Sequence, residues 1–239
     1  MGNLQKMGGV AALIMAATFV VGFVLLLTLL MPAGYFAADV DPIQNAAFLA
    51  DNQAVLYVWY LTIYVVFGVF LVVSALALYE RLKAGSPAIA QIATAFGIIW
   101  AGLVIASGMV ANVGLGAVVD LYGSDPTQAA SLWLAVNTVV IGLGGGNEIV
   151  GGLWVLLISW AALQAGGLPK LLNYFGVGVS VAGILTAVPA LAALEVLGAV
   201  FGFGLIVWFV WVGIVMLRSS PSAAAYNREE RQLKERQLL

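Results

Sequence analysis

Every lysine and arginine of this chain falls in one of four short stretches, and long, almost uncharged apolar runs lie between them. The stretches hold Lys6, then Arg81 and Lys83, then Lys170, and finally Arg218, Arg228, Arg231, Lys234 and Arg236. The remaining connections carry acids alone: Asp39, Asp41 and Asp51 in one, Asp120 and Asp125 in another. Basic residues stay on the cytoplasmic side of a membrane protein, whereas acids contribute little to orientation. The alternation of basic and acid-only connections therefore predicts a chain that crosses a membrane repeatedly.

Composition agrees. A soluble domain carries about 25% charged residues, and this chain of 239 residues has 8%, with 63% hydrophobic. So little charge cannot cover a water-facing surface of this size, and lipid must face much of the outside. A net charge of −2 gives no reason to expect a nucleic-acid partner. The chain has neither cysteine nor histidine. Disulfides, thiolate chemistry, zinc and iron–sulfur sites and the usual haem ligands are thereby excluded, because their atoms are missing. No covalent or His/Cys-ligated cofactor and no metal is expected, while bound lipid or carotenoid stays open.

About 20 apolar residues cross ~30 Å of hydrocarbon at 1.5 Å per residue. Six segments meet that length: Met7–Met31, Ala54–Tyr79, Ile89–Val113, Leu132–Leu163, Leu171–Val188 and Val196–Leu217. The first is longer than a signal-peptide core, so it is expected to be a retained helix. With Lys6 inside, both termini and all the basic residues lie on the cytoplasmic side. The expected fold is all-α, a six-helix transmembrane bundle over residues 1–217 with a charged cytoplasmic tail, 218–239. The bacterial or archaeal cytoplasmic membrane is its expected location.

Two stretches exceed a simple span, Ala88–Asp120 and Thr127–Gln164. Either the third and fourth helices project on the outer side as a hairpin, or one of them breaks. Gly144-Gly145-Gly146 marks the place for a break, since each glycine costs about 1 kcal/mol relative to alanine inside a helix. Glycines four apart, Gly142 with Gly146 and Gly198 with Gly202, suit close helix contact, first within the bundle and second with a partner. The seven tryptophans are spread along the spans, some of them expected at the membrane interfaces. In the tail, Glu230 and Lys234 favour a short helix that could lie on the membrane, against a plain solvated terminus.

The sharpest polar feature is Asn147-Glu148, flanked by Gly144-Gly145-Gly146 and Gly151-Gly152. An ionisable residue within a span is a functional candidate by default. Asn112, Asn137 and Glu195 fall near the same outer level, so a polar layer of Asn112, Asn137, Asn147, Glu148 and Glu195 is expected to face the bundle interior. Three readings of that layer remain open. It is a hydrogen-bonded cluster that pins helices, a carrier or channel site in which Glu148 takes a cation or proton beside a broken helix, or an enzyme site using two carboxylates. No nucleophile or metal motif accompanies the acids in the third case. Asp39, Asp41 and Asp51 with Asn52 are oxygen ligands of the kind calcium uses, but lack EF-hand spacing, and a solvated acidic loop is the expectation.

The order of several short words resembles a known family. Asp51-Asn52-Gln53 opens a span that closes on Tyr79-Glu80-Arg81-Leu82-Lys83. Gly152-Leu153-Trp154-Val155-Leu156-Leu157, then Gly167-Leu168-Pro169-Lys170-Leu171-Leu172 and Asn173-Tyr174-Phe175-Gly176 follow. Ile206-Val207-Trp208-Phe209-Val210-Trp211-Val212-Gly213 stands near the end. This series resembles a bacterial and archaeal family of six-helix membrane proteins known only as a domain of unknown function, across most of residues 7–217. The resemblance implies the same six-helix fold and brings no substrate or catalytic residue. Members often carry a polar or histidine-containing fourth helix where this chain has Asn147-Glu148.

For function, the first expectation is a non-catalytic accessory or scaffold subunit that packs on other integral membrane subunits or on itself, with lipids around it. The alternative is a small secondary transporter or channel centred on Glu148, and the third is a lipid-active membrane enzyme.

Overall fold

The computed structural model of the chain describes residues 2–35, 41–145, 148–188 and 195–218. Each apolar run forms helix, because backbone in lipid must satisfy its own N–H and C=O groups. Helix α1 (Gly2–Leu25) continues into a wider π-helical turn, Leu26–Leu30. A short α2 (Pro42–Asp51) precedes α3 (Gln53–Tyr60), which passes through a second π turn, Leu61–Val66, into α4 (Phe67–Leu82). Helix α5 (Pro87–Tyr122) runs for 36 residues. Helix α6 (Pro126–Val140) ends in a third π turn, Ile141–Gly145, ahead of α7 (Ile149–Ala165). Then come α8 (Lys170–Leu185) and α9 (Glu195–Arg218). The described residues contain no strand.

Five helical stretches are long and apolar enough to cross a membrane: Asn3–Leu30, Gln53–Leu82, Pro87–Tyr122, Pro126–Ala165 and Val196–Arg218. Helix α8 has 16 residues. That is about 24 Å at 1.5 Å per residue, short of the hydrocarbon thickness. The span expected to reach Val188 ends earlier because Thr186 and Ala187 turn out of the helix.

Six helices close into a ring: α1 on α4, α4 on α5, α5 on α7, α7 on α8, α8 on α9, and α9 back on α1. Lipid tails are as apolar as leucine, so the seams hold by close approach rather than by withdrawal from water. Between α1 and α9, a Cβ on Gly9 would lie 3.1 Å from the Gly213 carbonyl oxygen. The middle of the ring is aromatic. Trp154 and Trp208 are fully buried and meet edge to face with centroids 5.6 Å apart, and Trp100 packs 5.8 Å from Trp154. Of the seven tryptophans only Trp160 is exposed, so most serve the interior rather than an interface.

One end of the ring gathers the basic residues. There Gln5 Nε2 donates to the Met216 carbonyl at 3.3 Å, Arg81 Nε to the Gly167 carbonyl at 2.7 Å, and Ser86 Oγ lies 3.0 Å from Gln164 Oε1. Lys6, Arg81, Lys83, Lys170 and Arg218 therefore share this end, where α1 starts beside the finish of α9. Asp41, Asp51, Asp120 and Asp125 belong to the opposite end. The tail beyond Arg218 lies outside the described residues.

At the acidic end the fourth span both projects and breaks. The α5–α6 hairpin overshoots the ring and α2 packs across it, enclosing a second apolar cluster with Leu30, Tyr35, Leu49, Leu115 and Trp133. The break comes at Gly144, whose φ of +151° is open to glycine and strained for other residues. Gly146 lies outside the described residues. The segment from Pro42 is not the loop expected from its acids. Asp41 accepts from the Ile43 N–H at 2.9 Å and caps α2, with proline at the first helical position. Asp39 lies outside the described residues. Gly202 packs on Phe23, whereas a Cβ on Gly142 or Gly198 would meet no described neighbour.

Candidate functional site

Beneath the α2 cap a cavity of about 470 Å³ separates α1, the α3–α4 helix, α5 and the α6–α7 break. At 1.5 Å per residue Glu148 stands about 25 Å from Ala165, and Tyr64 about the same from Arg81. Gly22 is about 24 Å from Lys6 by the same rise. The walls therefore meet at one level, toward the acidic end of the bundle.

The three π turns converge on this cavity. Leu26 comes from the first, Ile63 and Tyr64 from the second, Ile141 and Gly144 from the third. A π turn widens a helix and leaves its hydrogen-bond ladder out of register, and such turns are frequent at functional sites. Neighbouring side chains take up the slack. Ser107 Oγ on α5 lies 3.3 Å from the Val140 carbonyl, where the third turn begins, and 3.0 Å from the Leu103 carbonyl. Trp59 Nε1 donates to the Gly22 carbonyl at 3.4 Å, joining α3 to α1.

Aromatic residues make up nearly half of the wall. Phe19 and Phe23 come from α1, Trp59, Tyr60 and Tyr64 from α3 and its π turn, and Trp100 from α5. Tyr60 and Tyr64 stack with centroids 6.1 Å apart and planes 5° from parallel. The Tyr60 and Tyr35 hydroxyls share a hydrogen bond, and Trp133 Nε1 donates to the Tyr35 hydroxyl at 2.9 Å. A line of phenols thus runs from the capped acidic end into the cavity, and Tyr64 lies within electrostatic reach of Glu148.

Glu148 supplies the one carboxylate on the described wall. It sits just before the first turn of α7 with φ −106° and makes no side-chain capping bond. Among the described residues its side chain has neither a hydrogen bond nor an ion pair. The positive end of the α7 dipole favours a negative charge here. The described basic residues are gathered at the far end of the bundle, too distant to neutralise it.

Of the residues expected in a polar layer, the cavity brings Asn137 and Glu148 together. Asn112 is not on the wall, and its buried Oδ1 has no partner among the described residues. Asn147 lies outside the described residues, as does the side chain of Glu195, whose backbone starts α9. The aromatic wall was not anticipated. Its signal was the close spacing of Tyr57, Trp59, Tyr60 and Tyr64 in a single span, which reads equally as ordinary core. Among the described residues no three acidic side chains group as they would to hold a metal ion.

A family model described as Domain of unknown function (DUF4386) matches residues 7–213. No curated protein and no solved structure matches the chain.

Proposed function

We propose that this chain, which belongs to the family described as Domain of unknown function (DUF4386), is a multi-pass membrane protein that binds a small molecule at Glu148, as a secondary carrier does. One observation carries the reading: three π turns and a broken span meet at one cavity, rich in aromatic residues, that holds a carboxylate unpaired among the described residues. Carriers site their ligands where spans are interrupted, because backbone freed from the helix is tolerated only against a cavity. The volume also falls within the range of small-molecule sites, about 300–1,000 Å³.

Within this reading α8 is the sixth crossing, tilted little and completed by its flanking turns. Both termini face the cytoplasm of a bacterial or archaeal cell, a placement supported by the gathering of basic residues at one end. An accessory or scaffold role is the second reading, supported by Gly198, which offers small-residue surface with no described neighbour. A lipid-active enzyme is least supported, because the other titratable groups on the described wall are phenols.

Native mass spectrometry of the gently solubilised protein tests the carrier reading. The wild type is expected to hold a small molecule distinct from bilayer lipid, and Val104→Trp, which fills the cavity, is expected to lose it while remaining folded by circular dichroism. Lipid masses alone, identical in both proteins, count against it. A fixed second protein subunit in both would favour the scaffold reading instead.

A further inference from the structure

We infer that the molecule held in this cavity is an organic monocation with apolar substituents, and that it exchanges with a proton at Glu148. The inference rests on the carrier reading and names its ligand class.

Charge comes first. A carboxylate in an apolar cavity needs a counter-charge or a proton, since burying it alone is strongly unfavourable. Among the described residues no lysine or arginine reaches Glu148, and no hydrogen-bond donor is engaged with it. The site therefore has room for one positive charge that no described residue supplies.

The wall chemistry then selects the kind of cation. A metal ion or ammonium needs several oxygen ligands, and beyond Glu148, Asn137 and Thr18 the described side chains of the wall add neutral phenol hydroxyls, weak ligands of which those of Tyr35 and Tyr60 already bond each other. The wall offers instead the faces of Phe19, Phe23, Tyr60, Tyr64 and Trp100. Aromatic faces attract cations through the ring quadrupole, most strongly where water is excluded, and they recognise substituted ammonium groups in this way. An amine or onium ion with hydrocarbon arms satisfies carboxylate and rings together. An anion would face the carboxylate, and a neutral ligand would leave it unpaired unless it is protonated.

Exclusion of the proton follows. When the cation is absent, a proton on Glu148 is the remaining way to discharge the site, so cation and proton compete for one group. The titratable groups that share the described wall with Glu148 are Tyr64, within its electrostatic reach, and Tyr60 from the α3–α4 helix, and Tyr35 from the turn after α1. The other described walls present Thr18 on α1, Trp100 and Val104 on α5 and Asn137 on α6, none of which titrates. Phenols hold their protons through the neutral range, which leaves Glu148 as the group that exchanges.

Tetraphenylphosphonium is a suitable probe, with triphenylphosphine oxide as its neutral counterpart, titrated calorimetrically into the detergent-solubilised protein. Tetraphenylphosphonium is expected to bind with release of a proton in weakly buffered acid solution. Once Glu148 is protonated, its affinity should fall by about tenfold per pH unit. Glu148→Gln is expected to weaken binding on the order of thirtyfold and abolish proton release, while Glu148→Asp keeps both. Proton release from the wild type needs no variant, so a misfolded Glu148→Gln does not shield the proposal. Equal binding of the neutral probe, or unchanged binding to Glu148→Gln, overturns the cation assignment while the cavity reading stands. Binding of neither probe, alongside a native ligand mass that Val104→Trp removes, also overturns the assignment alone. Binding of neither probe with no ligand mass at all sinks both.

Discussion

The indole Nε1 of Trp133 donates to the hydroxyl of Tyr35 across 2.9 Å, although 98 residues separate the two in the chain. Tyr35 closes the turn after the first span, and Trp133 stands on the projecting α6. Both are buried in the apolar cluster under α2. Through this contact the cap over the cavity is tied to the helix that leads to Glu148.

Trp133→Phe should therefore loosen the cap without collapsing the bundle. The ring is largely replaced, but the donor is lost, while the bond between the Tyr35 and Tyr60 hydroxyls stays. A net cost of about 1–2 kcal/mol follows from one hydrogen bond and a smaller ring. The melting temperature in detergent should fall by a few degrees, and amide exchange should accelerate in α2 and early α6 before it does in α7. Uniform acceleration would show that the cap is no separate unit.

Tyr35 also gives the cap a dependence on alkaline pH. Burial raises its hydroxyl above the usual 10, with the hydrogen bonds from Tyr60 and Trp133 opposing the shift in part. A raised folded value means the unfolded chain releases the proton first. The contribution to stability is then complete below pH 10 and is lost as pH climbs through the folded value. Protection of the cap amides, taken relative to their intrinsic base-catalysed exchange, should fall above pH 10 in the wild type, and Tyr35→Phe should flatten that fall. An equal fall in Tyr35→Phe would assign the effect to another group.

The five long apolar helices were legible because their signal is redundant: long apolar runs, bases at alternate connections and turn residues such as Gly166-Gly167 all agree. Glu148 stood out because a carboxylate in an apolar run is costly anywhere else. Helix α2 was missed, although Asp41, Pro42 and the buried pair Ala46 and Leu49 spell a capped helix with one apolar stripe. Ten residues between two acids carry too little hydropathy to outweigh the look of a loop. The π turns left no trace, since Leu26–Leu30 and Leu61–Val66 have the composition of any apolar helix. Their cause is tertiary, and so is the gathering of aromatic residues from separate spans around one space.

The ring seams make opposite predictions for two glycines. A Cβ on Gly151 would sit 2.7 Å from the six-membered ring of Trp100, which is itself wedged between Phe67 and Trp154. Gly151→Ala should cost about 1–3 kcal/mol through forced separation of α5 and α7. Gly116 lies in the same α5 with nothing within 4 Å of such a Cβ. Gly116→Ala should leave stability unchanged or raise it by up to about 1 kcal/mol, as expected for glycine removed from a helix interior. Thermal unfolding of both variants in one detergent compares them directly, and matching losses would mean that the α5–α7 seam does not depend on close approach.

The absence of cysteine allows the charge-based topology to be checked with single substitutions in an otherwise unreactive chain. Gly123 forms the α5–α6 turn at the acidic end, and a side chain there meets no neighbour. Ala84 is exposed in the α4–α5 turn at the basic end. Only α5 separates the two positions, and its 36 residues are ample to cross the bilayer. In cells stripped of any outer envelope, the Gly123→Cys variant should react with an impermeant maleimide. The Ala84→Cys variant should react only after permeabilisation. The reverse pattern would invert the molecule and turn the cavity toward the cytoplasm. Labelling of both from one side would mean that α5 does not cross, and the ring could not then be a transmembrane bundle.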